Sequence, residues 1–320
     1  MKKEPLVSII IPVKEINAYL IESISHLLNM EYKNFEVIIF PDEKSTETFE
    51  KTKIIPTGKF GPAEKRDLAL KFADGEILAF LDDDAYPRKD WLKNLVKNFS
   101  DQEIAGVGGP ALTPDNDTLE QKASGLVFES ILGGGNTRFR YLPTKRKYVD
   151  DFPTVNFSVR RKVFEKLGGF NTNYWPGEDT KLCLDIDTKL KKKIVYDPEV
   201  VVFHHRKPLF KEHLKQISNY ALHRGFFAKK YPKNSLKIGY FIPSGFLVYL
   251  PVSWFIGFIE PIILVPLMAY LIFLFLTGLS IFLKHRTIKL SILTMIGIFL
   301  THVFYGFYFL KGLRAKELKR

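Results

Sequence analysis

Three consecutive acids, Asp82, Asp83 and Asp84, stand where the apolar run Ile77–Leu81 ends. Adjacent like charges repel, so a chain that keeps them must have something for them to hold. In an extended backbone alternate side chains face the same way, which brings Asp82 and Asp84 together and turns Asp83 elsewhere. Two convergent carboxylates are hard oxygen ligands of the kind Mg²⁺ or Mn²⁺ takes when it bridges a diphosphate, and the cation offsets their repulsion. The plainer alternative is that Asp84 caps a helix beginning near Pro87 while the other two acids are solvated.

A second group lies about a hundred residues on. Glu178 and Asp179 follow the turn Trp175-Pro176-Gly177 and open a helix, whose dipole favours acids for purely structural reasons. The same placement fixes a carboxylate beside an aromatic residue, where it can act as general base toward a hydroxyl nucleophile. His204 and His205 end an apolar strand and face opposite sides, so one of them, His204, can add a third metal or phosphate contact. Lys65 and Arg66 either meet a phosphate or form a solvated helix face. Arg224 either neutralises a leaving diphosphate or contacts lipid headgroups. Cys183 is the single cysteine, so there is no intrachain disulfide and no zinc spacing; it reads as a small core residue.

The elements that must position these groups alternate. Residues 6–12 and 35–40 read as buried strands, and Leu20, Ile21, Ile24, Leu27 and Leu28 between them have helical spacing. A helix over 62–73 opens with Pro62, the strand 77–81 follows, and another helix covers 88–99. "IAGVGGPAL" is a strand ending in close-packed glycines. Residues 111–153 show neither period and are expected to form a long loop region, of the kind that serves as a mobile acceptor lid. A strand and short helix stopped by Gly168-Gly169, the helix after Gly177, and a strand or strand pair over 194–205 complete the pattern. Such alternation implies a mostly parallel sheet covered on both faces, with ligands beyond the carboxyl ends of its strands. The aspartate run lies at such an end.

The 320 residues are 46% hydrophobic, but the apolar ones are concentrated between Phe241 and Leu310. The chain therefore divides into a soluble head, 1–235, and an α-helical membrane tail, 236–320, with two to three helices at about 241–258, 261–283 and 290–310. The N-terminal apolar run is short, β-branched and without a cleavage site, so it is read as a strand and the head as cytoplasmic. The net charge of +12 could mean nucleic acid. Its excess sits beside the apolar tail, in "RGFFAKKYPKNSLK", "KHR" and "KGLRAKELKR", so the expected partner is a membrane and not nucleic acid. If all three tail segments span, the positive-inside rule is broken once; otherwise one segment lies in the interface.

In this order, "VSIIIPVKE" (7–15), "FEVIIFPDEKST" (35–46), "GPAEKRDLAL" (61–70), "GEILAFLDDDAYPRKDWL" (75–92), "NFSVRRKVFEKLGGFN" (156–171), "GEDTKLCL" (177–184) and "FHH" (203–205) resemble the family-2 glycosyltransferases. The likeness covers about residues 5–232 and implies a GT-A fold, the Rossmann-like α/β domain of nucleotide-diphospho-sugar transferases. By that resemblance Pro12, Val13 and Glu15 line the nucleotide pocket and Asp42 contacts the base, although the family's usual Asp-Asp-Gly-Ser is here Pro41-Asp42-Glu43-Lys44-Ser45. Arg66, Asp82 and Asp83 join the donor site, with Asp82, Asp84 and His204 on Mg²⁺ or Mn²⁺. Asp179 is the catalytic base and Glu178 helps to place the acceptor. The resemblance implies an inverting, metal-dependent transfer from a nucleotide-diphospho-sugar to a lipid-linked or glycan acceptor at the cell membrane. Processive polysaccharide synthesis fits less well, since "HRGFF" only distantly echoes a Gln-x-x-Arg-Trp motif. The competing reading is a membrane-tethered nucleotide-sugar-binding scaffold without turnover, which loss of Asp82, Asp84 or Asp179 would favour; all three are present.

Overall fold

Apart from Ser8, the runs VSIIIP and ILAFL have no polar face, and strands of that kind are stable only where both faces of the sheet are covered. In the computed structural model, which describes residues 4–172 and 174–318, both runs are buried along their whole length. In chain order the strands are β1 (Val7–Pro12), β2 (Phe35–Phe40), β3 (Thr52–Ile54), β4 (Ile77–Leu81), β5 (Ala85–Pro87), β6 (Ile104–Gly108), β7 (Ala111–Leu112), β8 (Lys147–Val149), β9 (Asn156–Arg160), β10 (Lys193–Tyr196) and β11 (Val202–His204). The helices are α1 (Ala18–Leu28), α2 (Pro62–Asp67), α3 (Ala69–Phe72), α4 (Trp91–Asn98), α5 (Leu119–Glu129), α6 (Ile131–Gly134), α7 (Arg161–Leu167), α8 (Glu178–Lys189), α9 (Lys211–Lys230), α10 (Pro232–Ser235), α11 (Ile242–Ile256), α12 (Val265–His285) and α13 (Ile288–Arg314).

These elements form two compact units. One takes the chain up to Leu112 together with Leu142–His204; the other takes Thr113–Tyr141 and the chain from His205 onward. The division expected at residue 235 therefore falls elsewhere. Segments 113–141 and 205–235 lack the long apolar runs of the tail, yet they supply the helices that pack with it.

The first unit holds a sheet ordered β3-β2-β1-β4-β9-β6-β10-β8. β3, β2, β1 and β4 are parallel, whereas β9 enters between β4 and β6 antiparallel to both, and β8 is antiparallel at the edge. The sheet is thus mixed rather than mostly parallel, because a strand's direction depends on distant pairing that local periodicity does not report. On one face Leu20, Ile24 and Leu27 of α1 and Trp91, Leu92 and Leu95 of α4 pack on Ile9, Ile11, Ala79 and Leu81. Each large side chain so buried contributes about 1.5–3 kcal/mol against the entropy of ordering it. Ile21, counted in the apolar spacing of α1, is instead exposed. On the other face Phe80 meets Phe164 and Phe170. The helix expected over 62–73 divides at Leu68 into α2 and α3, and α4 begins only at Trp91 because residues 85–87 form β5. A small second sheet, β5-β11-β7, completes this unit.

In the second unit the loop expected over 111–153 is largely helical. Thr118 Oγ1 accepts from Gln121 N while Thr118 N donates to Gln121 Oε1, a capping box that starts α5. His213 of α9 is buried between Ser124 Oγ (2.7 Å) and Thr301 Oγ1 (2.9 Å), tying α5, α9 and α13 together, and burial pushes its imidazole down to about 4. Backbones of α9 and α13 approach so closely that a Cβ on Gly225 would lie 2.1 Å from the Phe309 carbonyl oxygen. Arg224 lies over the Tyr240 ring and donates to Ser235 Oγ within this unit. The segments Pro261–His285 and Ile288–Arg314 are long and apolar enough to cross a membrane, while Ile242–Ile256 is shorter and carries Pro251 inside it.

Candidate active site

Because β1, β2 and β4 are parallel, their carboxyl ends open on one edge of the sheet. Beyond Leu81 the chain turns, with Ala85 N donating to the Asp82 carbonyl, and enters β5. β5 pairs antiparallel with β11 in a register that sets His204 opposite Ala85. That register brings His204 Nε2 to 3.0 Å from Asp84 Oδ1. One ligand atom each from Asp82, Asp84 and His204 then lies within 4.8 Å of the others. Two carboxylate oxygens and one imidazole nitrogen suit a divalent cation, so the residues present fit the metal that the sequence called for. Asp82, Asp83 and Asp84 lie in the turn beyond Leu81 and not in the extended backbone expected for them, and within it Asp83 accepts from Asn17 Nδ2 at 2.7 Å. Asn17 also caps α1, so Asp83 fastens the turn to that helix. Asp84 caps no helix; the N-cap of α4 is Asp90.

Arg66 is buried on α2 and reaches two acids at once, Asp82 Oδ1 at 2.6 Å and Glu178 Oε1 at 2.9 Å. It therefore joins the end of β4 to the first turn of α8. Glu178 faces inward and is 4% exposed at its side chain. Desolvation, with the Asp179 charge beside it, pushes the carboxyl up to about 8 against the pull of Arg66. Its side chain is thus enclosed and paired with Arg66. Asp179, one residue and about 100° further round the helix, is only partly buried, and its Oδ1 accepts from Thr180 N. Trp175, four residues before Asp179, is 61% exposed.

At the ends of β1 and β2, Pro12 and Val13 are buried and Glu15 is exposed. Asp42 receives Lys65 Nζ at 2.5 Å, and the same ammonium donates to the carbonyls of Val13 (2.6 Å) and Phe40 (3.1 Å). Lys65 is 3% exposed. It is neither a solvated face nor a phosphate contact but a buried pin between two strand ends. The structure thus gathers Asp82, Asp84, His204, Arg66, Glu178 and Asp179 into one constellation, sets Val13, Phe40 and Asp42 around Lys65 with Pro12 buried at the end of β1, and commits Asp83 to Asn17. Asn17 was missed, although an Asn just before an apolar-periodic segment is an N-cap signal. Asp67 was also missed. It accepts from Phe170 N at 2.7 Å, and nothing local in the sequence announces a contact 103 residues away.

A family model described as glycosyl transferase family 2 matches residues 8–168. A dolichyl N-acetyl-α-D-glucosaminyl phosphate 3-β-D-2,3-diacetamido-2,3-dideoxy-β-D-glucuronosyltransferase of Methanococcus voltae is 25% identical, aligned over 96% of this chain and 97% of its own length. A glucosyl-dolichyl phosphate glucuronosyltransferase of Haloferax volcanii is 22% identical over 45% of this chain and 47% of its own. Among solved structures, a mannosyltransferase of Pyrobaculum calidifontis in complex with GDP-Man and Mn²⁺ shares the fold, with a TM-score of 0.56 and 19% identity across 99% of this chain and 89% of that one. The α/β part is GT-A-like, and C-terminal helices follow it, two of them apolar enough to span a membrane. The chain belongs to glycosyltransferase family 2.

Proposed function

We propose that this chain is a membrane-anchored, inverting glycosyltransferase that moves a sugar from a nucleotide-diphospho-sugar to a hydroxyl or phosphate of a lipid-linked acceptor in cell-envelope glycan or glycolipid synthesis. The observation that carries the reading is the convergence of Asp82, Asp84 and His204 on an edge that Arg66 links to the helix bearing Asp179. A divalent cation held by those three residues supplies positive charge where the nucleoside diphosphate departs, and the imidazole among the ligands shifts the preference from Mg²⁺ toward Mn²⁺. Pro12 and, held by Lys65, Val13 and Asp42 form the nucleotide side. Asp179 accepts the proton of an acceptor hydroxyl while its oxygen bonds to the anomeric carbon, and the bond from that carbon to the diphosphate oxygen breaks on the opposite face. A single displacement of this kind inverts the centre, by the same opposite-face geometry as in inverting glycosidases.

The dolichyl phosphate named for two relatives supports a lipid-linked acceptor. Anchoring by α12 and α13 raises the local concentration of such an acceptor. The 15 residues of α11 extend only about 22 Å, short of the ~30 Å hydrocarbon core, so α11 lies in the interface. α12 and α13 then form a hairpin that returns the basic C-terminal segment to the cytoplasmic side with the catalytic unit and leaves the short basic connection at 284–289 on the other side, so the positive-inside rule is met at the C-terminus and broken once at that turn.

The test is donor hydrolysis and transfer by detergent-solubilised protein against a panel of nucleotide sugars, with Mg²⁺, Mn²⁺ or a chelator and with membrane lipid extract. Metal-dependent release of one nucleoside diphosphate, increased by the lipid extract, is expected. No turnover with any donor would remove the transferase reading.

A further inference from the structure

Three consecutive residues of α2 hold three different parts of the site. Successive helical positions are about 100° apart, so Lys65, Arg66 and Asp67 fan over more than half a turn and reach separate neighbours. Lys65 takes the ends of β1 and β2, and Arg66 takes Asp82 and Glu178. Asp67 takes the chain that leaves α7: Phe170 N donates to its Oδ1 at 2.7 Å, and the Asn171 N–H is a second donor to the carboxylate. The fit is close. Gly169 has φ +83°, and a Cβ there would sit 2.3 Å from Asp67 Oδ1, so only glycine admits the carboxylate. Phe170 is buried against Phe80 and Phe164, which keeps its N–H aimed at Asp67. The stretch from Phe170 to Glu178 is thus held at one end by Asp67 and at the other by Arg66, and it carries the exposed Trp175.

We propose that Asp67 is a positioning residue for transfer: by holding Phe170 it sets where the chain departs for the Trp175–Gly177 turn, and so where the acceptor meets Asp179. This rests on the transferase reading above. The hydrogen bonds of Asp67 run to Phe170 and Asn171, whereas it is its neighbour Arg66 that bonds Asp82, so the loss of Asp67 should be felt more on the acceptor side than on the donor side.

Amide hydrogen exchange on the full-length chain in detergent, comparing wild type with Asp67→Ala and Asp67→Asn, tests the tie. Steady-state transfer with the donor found by the panel tests its consequence. In Asp67→Ala the peptide Gly168–Thr172 should exchange about tenfold faster while β1 and β4 stay unchanged, as expected for the loss of charge-assisted hydrogen bonds. The KM for acceptor should rise about tenfold with the donor KM within about twofold, a split that general loss of structure would not give. Asp67→Asn keeps one acceptor oxygen and should recover most of both effects, leaving about a threefold change. Unchanged exchange at Gly168–Thr172 in Asp67→Ala, or faster exchange there with an unaltered acceptor KM, overturns the proposal. If Asp67→Ala does not fold, exchange at that peptide unchanged from wild type in Asp67→Asn overturns it equally. A wild-type chain that turns over no donor removes the transferase reading instead, and the exchange comparison still decides whether Asp67 holds this segment.

Discussion

The acids at the end of β4 and the acid that opens α8 are the same chemical group in opposite situations. The Asp82 side chain is 31% exposed and shares an open edge with Asp84 and His204, whereas that of Glu178 is 4% exposed and closed over by Arg66. An exposed carboxylate can exchange water for a cation at little cost; a buried one is already committed, and removing its partner strands a charge. The contrast rests on Asp82: Asp84 and His204 beside it are only 12% and 15% exposed at their side chains, so the edge opens at one of its acids. Within the first turn of α8 the same contrast separates Glu178, turned inward, from Asp179, partly open.

The largest effect should come from the open acid of α8. Asp179→Asn is expected to lower transfer about 10²–10⁴-fold, the usual contribution of a positioned base, with donor affinity by titration calorimetry unchanged. Transfer that persists near the wild-type rate would show that Asp179 is not the base, as an already ionised phosphate acceptor would allow. Next, the double change Asp82→Ala, Asp84→Ala should weaken metal-dependent donor binding about a hundredfold or more, since even residues behind the ligands are worth ten- to a hundredfold. Its thermal midpoint in chelator should fall only slightly, because the relief of adjacent like charges offsets the loss of one of the two acids that hold buried Arg66. A drop of several degrees would break the contrast by showing that the open edge also holds the fold.

How much of this was legible depends on how far apart the partners are in sequence. The convergence of Asp82 and Asp84 was expected from a period of two in an extended segment, but residues 82–85 form a turn, so the acids meet for a reason that alternation does not supply. The addition of His204 depends on a three-residue strand in register with Ala85, and strands of two or three residues leave no readable period. Arg66 was read as a phosphate contact or part of a solvated helix face, and by the resemblance as a donor-site residue, but the two acids it bonds lie 16 and 112 positions away. The roles of Lys65 and Asp67 are equally distant, and consecutive residues facing three ways give no amphipathic stripe. By contrast α5 was within reach. Thr118 and Gln121 have capping-box spacing, and the aperiodic residues that follow obscured a helix that starts properly.

The smallest effect tests whether Glu178 is closed off chemically as well as geometrically. Burial and the Asp179 charge raise it from 4.5 to about 8, so between those values the native state keeps a proton that the unfolded chain releases. Stability must then fall as pH rises through that window and level off above it. Asp67, raised by burial from 3.8 to about 6, slopes the same way but only up to about pH 6. Between about pH 6 and 8 the slope belongs to Glu178 alone of these two. Glu178→Gln keeps the shape and an oxygen for Arg66 but cannot titrate, so its thermal midpoint should fall less than the wild type's across this window, by an amount worth about 1–3 kcal/mol. Equal slopes would mean that Arg66 holds Glu178 ionised throughout. The two regions would then differ in access to water and not in protonation, and Arg66 would be balancing two full negative charges, which makes its simultaneous grip on Asp82 and Glu178 the stronger constraint on where α8 begins.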